Sequence, residues 1–140
     1  MVRTEQLRLR TRGHADIHDL TSNLERLLQE SGLMEGLLTV FTPSSTSAVT
    51  TIEYEPGALE DLKRALDRLA PPDDDYRHNE AWGDGNGHAH VRAALLKPSL
   101  TIPVLSGQLQ LGTWQQVVFI DFDVRPRSRA LVVQLLGEGA

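Results

Sequence analysis

Two apolar periods take turns along this sequence, and their order restricts the fold more than any other feature. From Val2 to Arg12, Val, Thr and Leu alternate with Arg and Glu, the period of a half-buried strand. From Asp16 the spacing changes to three and four, through Ile17, Leu20, Leu24, Leu27 and Leu28, with Gly32 as a stop, which predicts an amphipathic helix. The continuous apolar run Gly36 to Thr42 and the β-branched segment Ala48 to Tyr54 read as two paired strands joined by a polar turn. Pro56 opens a second helix with Leu59, Leu62, Leu66 and Leu69 on one stripe, stopped by Pro71 and Pro72. HAHVRAALL reads as a short helix capped by Asn86 or Asp84 and closed at Lys97 and Pro98. From Ser99 the chain reads as strands, SLTIPV, QLQLGTWQQVVFIDFDV and ALVVQLLGE, with turns at Ser106 and Gly107 and around Pro126. This order predicts the α+β class, one domain over residues 1–140, with a large mixed, mostly antiparallel sheet packed against helices.

Composition excludes several functions. With 140 residues there is length for one core and not for a second catalytic domain. A net charge of −5 argues against a surface built on phosphate-backbone contacts, so nucleic acid is not an expected partner. No apolar run reaches the ~20 residues that span a bilayer, and MVRTEQLRLR lacks the apolar core of a signal peptide, so a cytoplasmic protein with no membrane partner is expected. The absence of Cys removes disulfides, thiolate ligands and Cys nucleophiles, which leaves His, carboxylate and carbonyl groups to hold any metal.

The chemistry-bearing residues concentrate in one long polar stretch, Asp73 to His88, which has no apolar periodicity. His78, His88 and His90 lie in or beside it, and imidazoles at convergent points suit a zinc-type divalent ion, with Asn79, Glu80, Asp84 and Asn86 close in sequence. His88 and His90 share a face on a strand but diverge by about 200° on a helix, so both can serve one ion only if the helix begins after His88. The alternative is that these are surface and capping histidines. Gly83, Gly85 and Gly87 alternate with Asp84, Asn86 and His88, a pattern that serves either an anion site or an ordinary turn. GTWQQ, with Thr113, Trp114 and Gln115, breaks an apolar strand pattern, as a polar pocket wall or as a strand with outward amides and a core Trp. Ser45, Thr46 and Ser47 have no base beside them in sequence to activate a nucleophile.

The run YRHNEAWGDGNGHAHVRAALLKPSLTIPV, followed by SGQLQLGTWQQVVFIDFD and VVQLLGE, resembles the YjbQ-like family (UPF0047) over essentially the whole chain. That resemblance implies a single α+β domain assembled as a homotrimer and, in several members, a divalent metal, often zinc, held by histidines. It also implies a secondary, low-level thiamine-phosphate synthase activity, a transferase chemistry. The family's Tyr-Arg-His-Asn falls on Tyr76, Arg77, His78 and Asn79, and its Asp-Gly-Asn and following His on Asp84, Gly85, Asn86 and His90. One block departs: Ser45 stands where the family has His, and Tyr54 where it has an acid, while Lys97 replaces a Gly.

Two functions follow. The first is a metal-assisted enzyme on a small, phosphorylated ligand, with His78, His88 and His90 as metal ligands, Asp84, Asn86 and Gln115 as catalytic candidates, and Asn79, Thr113, Trp114 and Ser45 against substrate. The second is a non-catalytic trimeric ligand-binding or structural protein, its metal site degenerate at Ser45 and Tyr54.

Overall fold

A computed structural model describes residues 1–140. The elements in chain order are β1 (Val2–Thr11), β2 (Asp16–Asp19), α1 (Thr21–Ser31), β3 (Leu33–Phe41), β4 (Ser47–Ile52), α2 (Pro56–Leu69), α3 (Arg77–Trp82), α4 (Gly87–Leu96), β5 (Ser99–Leu105), β6 (Gln108–Leu109), β7 (Gln116–Asp121) and β8 (Arg127–Gly139). The α+β class is the one the periodicities predict. The strands divide into a five-stranded sheet, β1-β8-β3-β5-β6, and a three-stranded sheet, β2-β7-β4, and every ladder is antiparallel.

One core lies between the sheets. Leu20, Leu24, Leu27 and Leu28 of the α1 region meet Leu38, Val40, Val133 and Leu135 of the large sheet and Val49, Val117 and Phe119 of the small one. On the far side of the small sheet, Ala48, Val118 and Ile120 pack on Leu66 of α2 and on Ala89 and Ala93 of α4. Strand β7 is therefore covered on both faces, which is why VVFI carries no polar alternation.

Four local expectations are corrected. Asp16–Asp19 is a strand, not the first turn of a helix: Asp16 pairs with Asp121 and Asp19 with Val118, and this ladder satisfies backbone groups before α1 starts. The segments around Leu38 and Val49 do not form a hairpin. Strand β3 is flanked by β8 and β5, while the Pro43–Thr46 loop carries the chain across to β7. The polar stretch contains a helix, α3, closed by Gly83 at φ 65°. Finally, Gly112–Gln115 is a turn outside any strand, with Gln115 N–H donating to the Gly112 carbonyl.

Candidate functional site

The sheets meet at a corner built by the chain between β7 and β8. Asp121 is fully buried and accepts from Thr11 Oγ1 at 2.6 Å, from its own neighbour Asp123 N–H, and from Arg129 through Nε at 2.8 Å and Nη2 at 2.9 Å. Asp123, 2% exposed, accepts from Thr46 Oγ1 and Arg125 N–H and pairs with Arg127 at 3.1 Å. Burial alone raises the Asp123 carboxyl, but hydrogen bonds from Asn86, Arg125 and Arg127 and the Arg127 charge outweigh it and hold the group below the ordinary carboxylate range. These acids and arginines share a buried corner that sequence reasoning passed over. The available signal was the spacing: Asp121 and Asp123, then Arg127 and Arg129, each two apart in extended chain, project to one side.

A polar cavity of about 430 Å³ opens on this corner, with Ser45 and Thr46 on one wall, Asp84, Asn86 and His90 on another, and Asp123, Arg127 and Arg129 beneath. The buried Arg127 Nε has no hydrogen-bond partner. Helix α4 places His90 here because Asn79 Oδ1 accepts from Gly87 N–H at 2.9 Å and pins the first turn. Asn86 is also buried, and its Oδ1 accepts from Val124 N–H at 3.1 Å, which ties α4 to the β7–β8 turn. The His78 and His90 rings stand 4.2 Å apart between centroids, and Asp84 Oδ1 lies 3.5 Å from His78 Nδ1 without making a hydrogen bond. Burial lowers the His90 imidazole, and the neighbouring His78 lowers it further, against Asp84 and Asp123.

The expected three-imidazole set does not form. Helix α4 begins at Gly87, so His88 and His90 both lie within it and turn apart, and His88 lines a different cavity with Arg92. No group of three or more His, Asp or Glu side chains stands close enough together as a ready ligand set. The donor types at His78, His90 and Asp84 nonetheless suit a zinc-type ion, and His78 Nδ1 is a buried nitrogen without a partner. Thr113 and Trp114 line a separate hollow with Tyr54 and Glu53, and Trp114 is 72% exposed, neither core nor wall of the histidine cavity. Gln115 accepts from Gly112 N–H and donates to Thr51 Oγ1 at 3.3 Å, which closes its own turn. A larger hollow of about 560 Å³ between α1 and the β5–β6 turn gathers only Glu25 among titratable groups.

Residues 5–138 match the family model described as UPF0047 protein YjbQ-like. The chain belongs to this family. A UPF0047 protein of Methanothermobacter thermautotrophicus is 39% identical over 137 residues, covering 98% of this chain and 94% of the relative. One from Archaeoglobus fulgidus is 39% identical over 131 residues, 94% of this chain and 99% of the relative. Among solved structures, a YbjQ-like protein of Sulfolobus solfataricus superposes with a TM-score of 0.94 at 30% identity, covering 99% of both chains. A protein of Aeropyrum pernix superposes at 0.91 with 35% identity, over 97% of this chain and 99% of that one. No helix of this YjbQ-like chain is long and apolar enough to cross a membrane.

Proposed function

We propose that this chain is a cytoplasmic, divalent-metal-binding enzyme acting on a small phosphorylated ligand in the corner cavity. The observation that carries the reading is a pair of partnerless buried atoms beside one polar cavity. His78 Nδ1, next to His90, lacks a partner, and Arg127 Nε on the cavity floor lacks an acceptor. Arg127 and the Ser45 and Thr46 hydroxyls supply donors for phosphate oxygens. His78, His90 and Asp84 would hold the ion, zinc being the first candidate, which when bound supplies Lewis-acid polarisation of a phosphate or carbonyl oxygen. Asp84 and Asn86 frame the reacting end of the ligand, and Asn79 acts through the α4 terminus it pins.

Elemental analysis of untagged protein, with His78→Ala and His90→Ala in parallel, tests the reading. A near-stoichiometric divalent ion lost in both variants supports it, and full retention in both sinks the assignment. Loaded protein would then be assayed first for the transferase chemistry that the family resemblance implies, with phosphorylated thiamine precursors.

Ser45 in the cavity wall and the absence of a ready ligand set favour one further reading, a non-catalytic ligand-binding protein. The double variant Ser45→His, Tyr54→Glu separates the two: activity gained over the parent means a degenerate enzyme, and inactivity of both on every substrate leaves binding alone. In either case we propose that three copies assemble. The outer face of the large sheet carries Val2, Leu136 and Leu37 in one cross-strand row, all exposed, an apolar row that a neighbouring copy would cover. Light scattering at the mass of one chain would refute assembly.

A further inference from the structure

The face of α4 opposite His90 carries a second arrangement of basic groups that the corner cavity does not use. His88 and Arg92 are one helical turn apart on α4, and Lys63 and Asp67 are one turn apart on the facing side of α2. With His14 from the β1–β2 turn and Phe122 beyond β7, they line a cavity of about 130 Å³.

Two side chains of this cavity have donors without an acceptor, and the backbone holds a third ring at its edge. Arg92 is 4% exposed, and its guanidinium is fixed by Nε donating to the Ala70 carbonyl at 3.0 Å, by Nη2 donating to Asp67 at 2.9 Å, and by the Phe122 ring 5.8 Å from Cζ. Its Nη1 makes no hydrogen bond to protein, so half of a held fork is free. His88 is 3% exposed, and its buried Nδ1 has no partner at hydrogen-bond geometry; burial and the Arg92 charge disfavour the charged ring, against the Gly85 backbone and the Asp123 charge. His14 and Ala15 follow Gly13 in the left-handed region at φ 54° and 63°, a conformation that costs L residues free energy. It is enforced by His14 N–H donating to the Asp123 carbonyl and Ala15 N–H to the Asp121 carbonyl, both at 2.8 Å, and it sets the His14 imidazole on the cavity rim. The only carboxylate in the lining, Asp67, is already engaged by Arg92, which leaves the exposed Lys63 charge unanswered.

We infer that this cavity is a second ligand site, for one phosphate-sized oxyanion held by Arg92, His88 and Lys63 with His14 at its mouth. The site is too small for a nucleotide, and its lining sets the donors of Arg92, His88, Lys63 and His14 against one carboxylate that Arg92 already engages, so a single tetrahedral oxyanion is its natural occupant. It is separate from the corner cavity, and its occupancy does not depend on the function proposed for that cavity.

The test is a titration of the full-length, ¹⁵N-labelled protein with inorganic phosphate, read at the imidazole ring nitrogens. The expected result is a saturable shift of His88 and His14 with His18 unmoved. Lys63→Glu, at an exposed helix position, should weaken the apparent affinity roughly tenfold, the scale of one charge-assisted contact. His88→Phe, which keeps a ring and removes the donor, should abolish the His14 shift. Arg127→Ala should leave the His88 and His14 response intact while removing any response at His90, so that failure of this site and failure of the corner site are distinguishable. A response confined to His78 and His90, an unchanged affinity in Lys63→Glu, or no saturable shift at His88 overturns the inference.

Discussion

Arg129 is the side chain on which the sheet corner turns, and Arg129→Met measures how much. In the parent it donates twice to Asp121, at 2.8 and 2.9 Å, and once to Thr46 Oγ1 at 2.9 Å, while Asp121 has no exposed surface. Methionine fills much of the same volume but leaves Asp121 buried with only the Thr11 hydroxyl and the Asp123 N–H to answer its charge. Removing one member of a buried pair costs about 3–5 kcal/mol, and the two surviving donors place this case near about 3. Since 1 kcal/mol moves the midpoint of a chain this size by roughly 3–4 °C, a loss of about 10 °C is expected by calorimetry, with a matching fall of the urea midpoint. Arg129→Lys should fall between, because an ammonium cannot repeat the two-pronged contact. Asp121→Asn combined with Arg129→Met should cost clearly less than the sum of the single changes, since the uncompensated charge is then gone. A cost for Arg129→Met below about 1 kcal/mol, the range of exposed pairs, would refute the reasoning.

Gly36 and Gly137 face each other across the β3–β8 ladder, and a Cβ on Gly137 would collide with the Glu35 carbonyl, so Gly137→Ala should lose at least about 2 kcal/mol in urea unfolding. Leu38→Ala empties a fully buried position between the sheets and should cost about 3 kcal/mol in the same assay. Burial raises the Asp16 carboxyl, but the Arg12 N–H, His18 and the Arg12 guanidinium together hold it below its ordinary value of 3.8. The folded chain therefore binds this proton less readily than the unfolded one, so the contribution is complete above that value and lost as pH falls through the depressed one. Asp16→Asn should flatten the acid limb of the stability curve, and an acid limb identical to the parent's would contradict the assignment.

The helical stripes were legible because Leu24, Leu27, Leu28 and Leu66 repeat at the helical period and each reaches a core. The strands were legible where one face is wet, as in β1, and also where a continuous apolar run means cover on both sides, as in β7. Pairing was not legible. Nothing local to Gly36–Tyr54 says that β8, a strand some ninety residues later, takes the place beside β3, because register is settled by which faces need burial. DIHD carries too few residues for either period to show, and its partner β7 decides the outcome. For the site, Asp84, Asn86 and His90 are neighbours in sequence and share one cavity wall, Ser45 reaches that cavity from a distant loop that only the family resemblance linked to them, and the helical start at Gly87 sends His88 elsewhere. Thr113 and Trp114 line a separate hollow instead of the same wall, because the chain turns at Gly112–Gln115 away from the corner.

The missed residues show what a sequence reader can use. A buried Asp in an apolar strand such as FIDFD is costly unless its partners are also buried, so its presence implies a donor set elsewhere in the chain. The donors are found at once in RPRSR, where Arg127 and Arg129 have the same two-residue spacing as Asp121 and Asp123, and the tight turn between them folds one pair onto the other. Such a lattice is a poor way to gain stability, since apolar side chains of equal volume would do as well. What it supplies is position. Asp123 is gripped by Thr46 from the β3–β4 loop, by Arg127 from β8 and by Asn86 from the start of α4, so three separate segments are locked to one carboxylate. Those same segments carry Ser45, Arg127 and His90 into a single cavity, and the charges beneath it add to the apolar packing of α4 in holding them there.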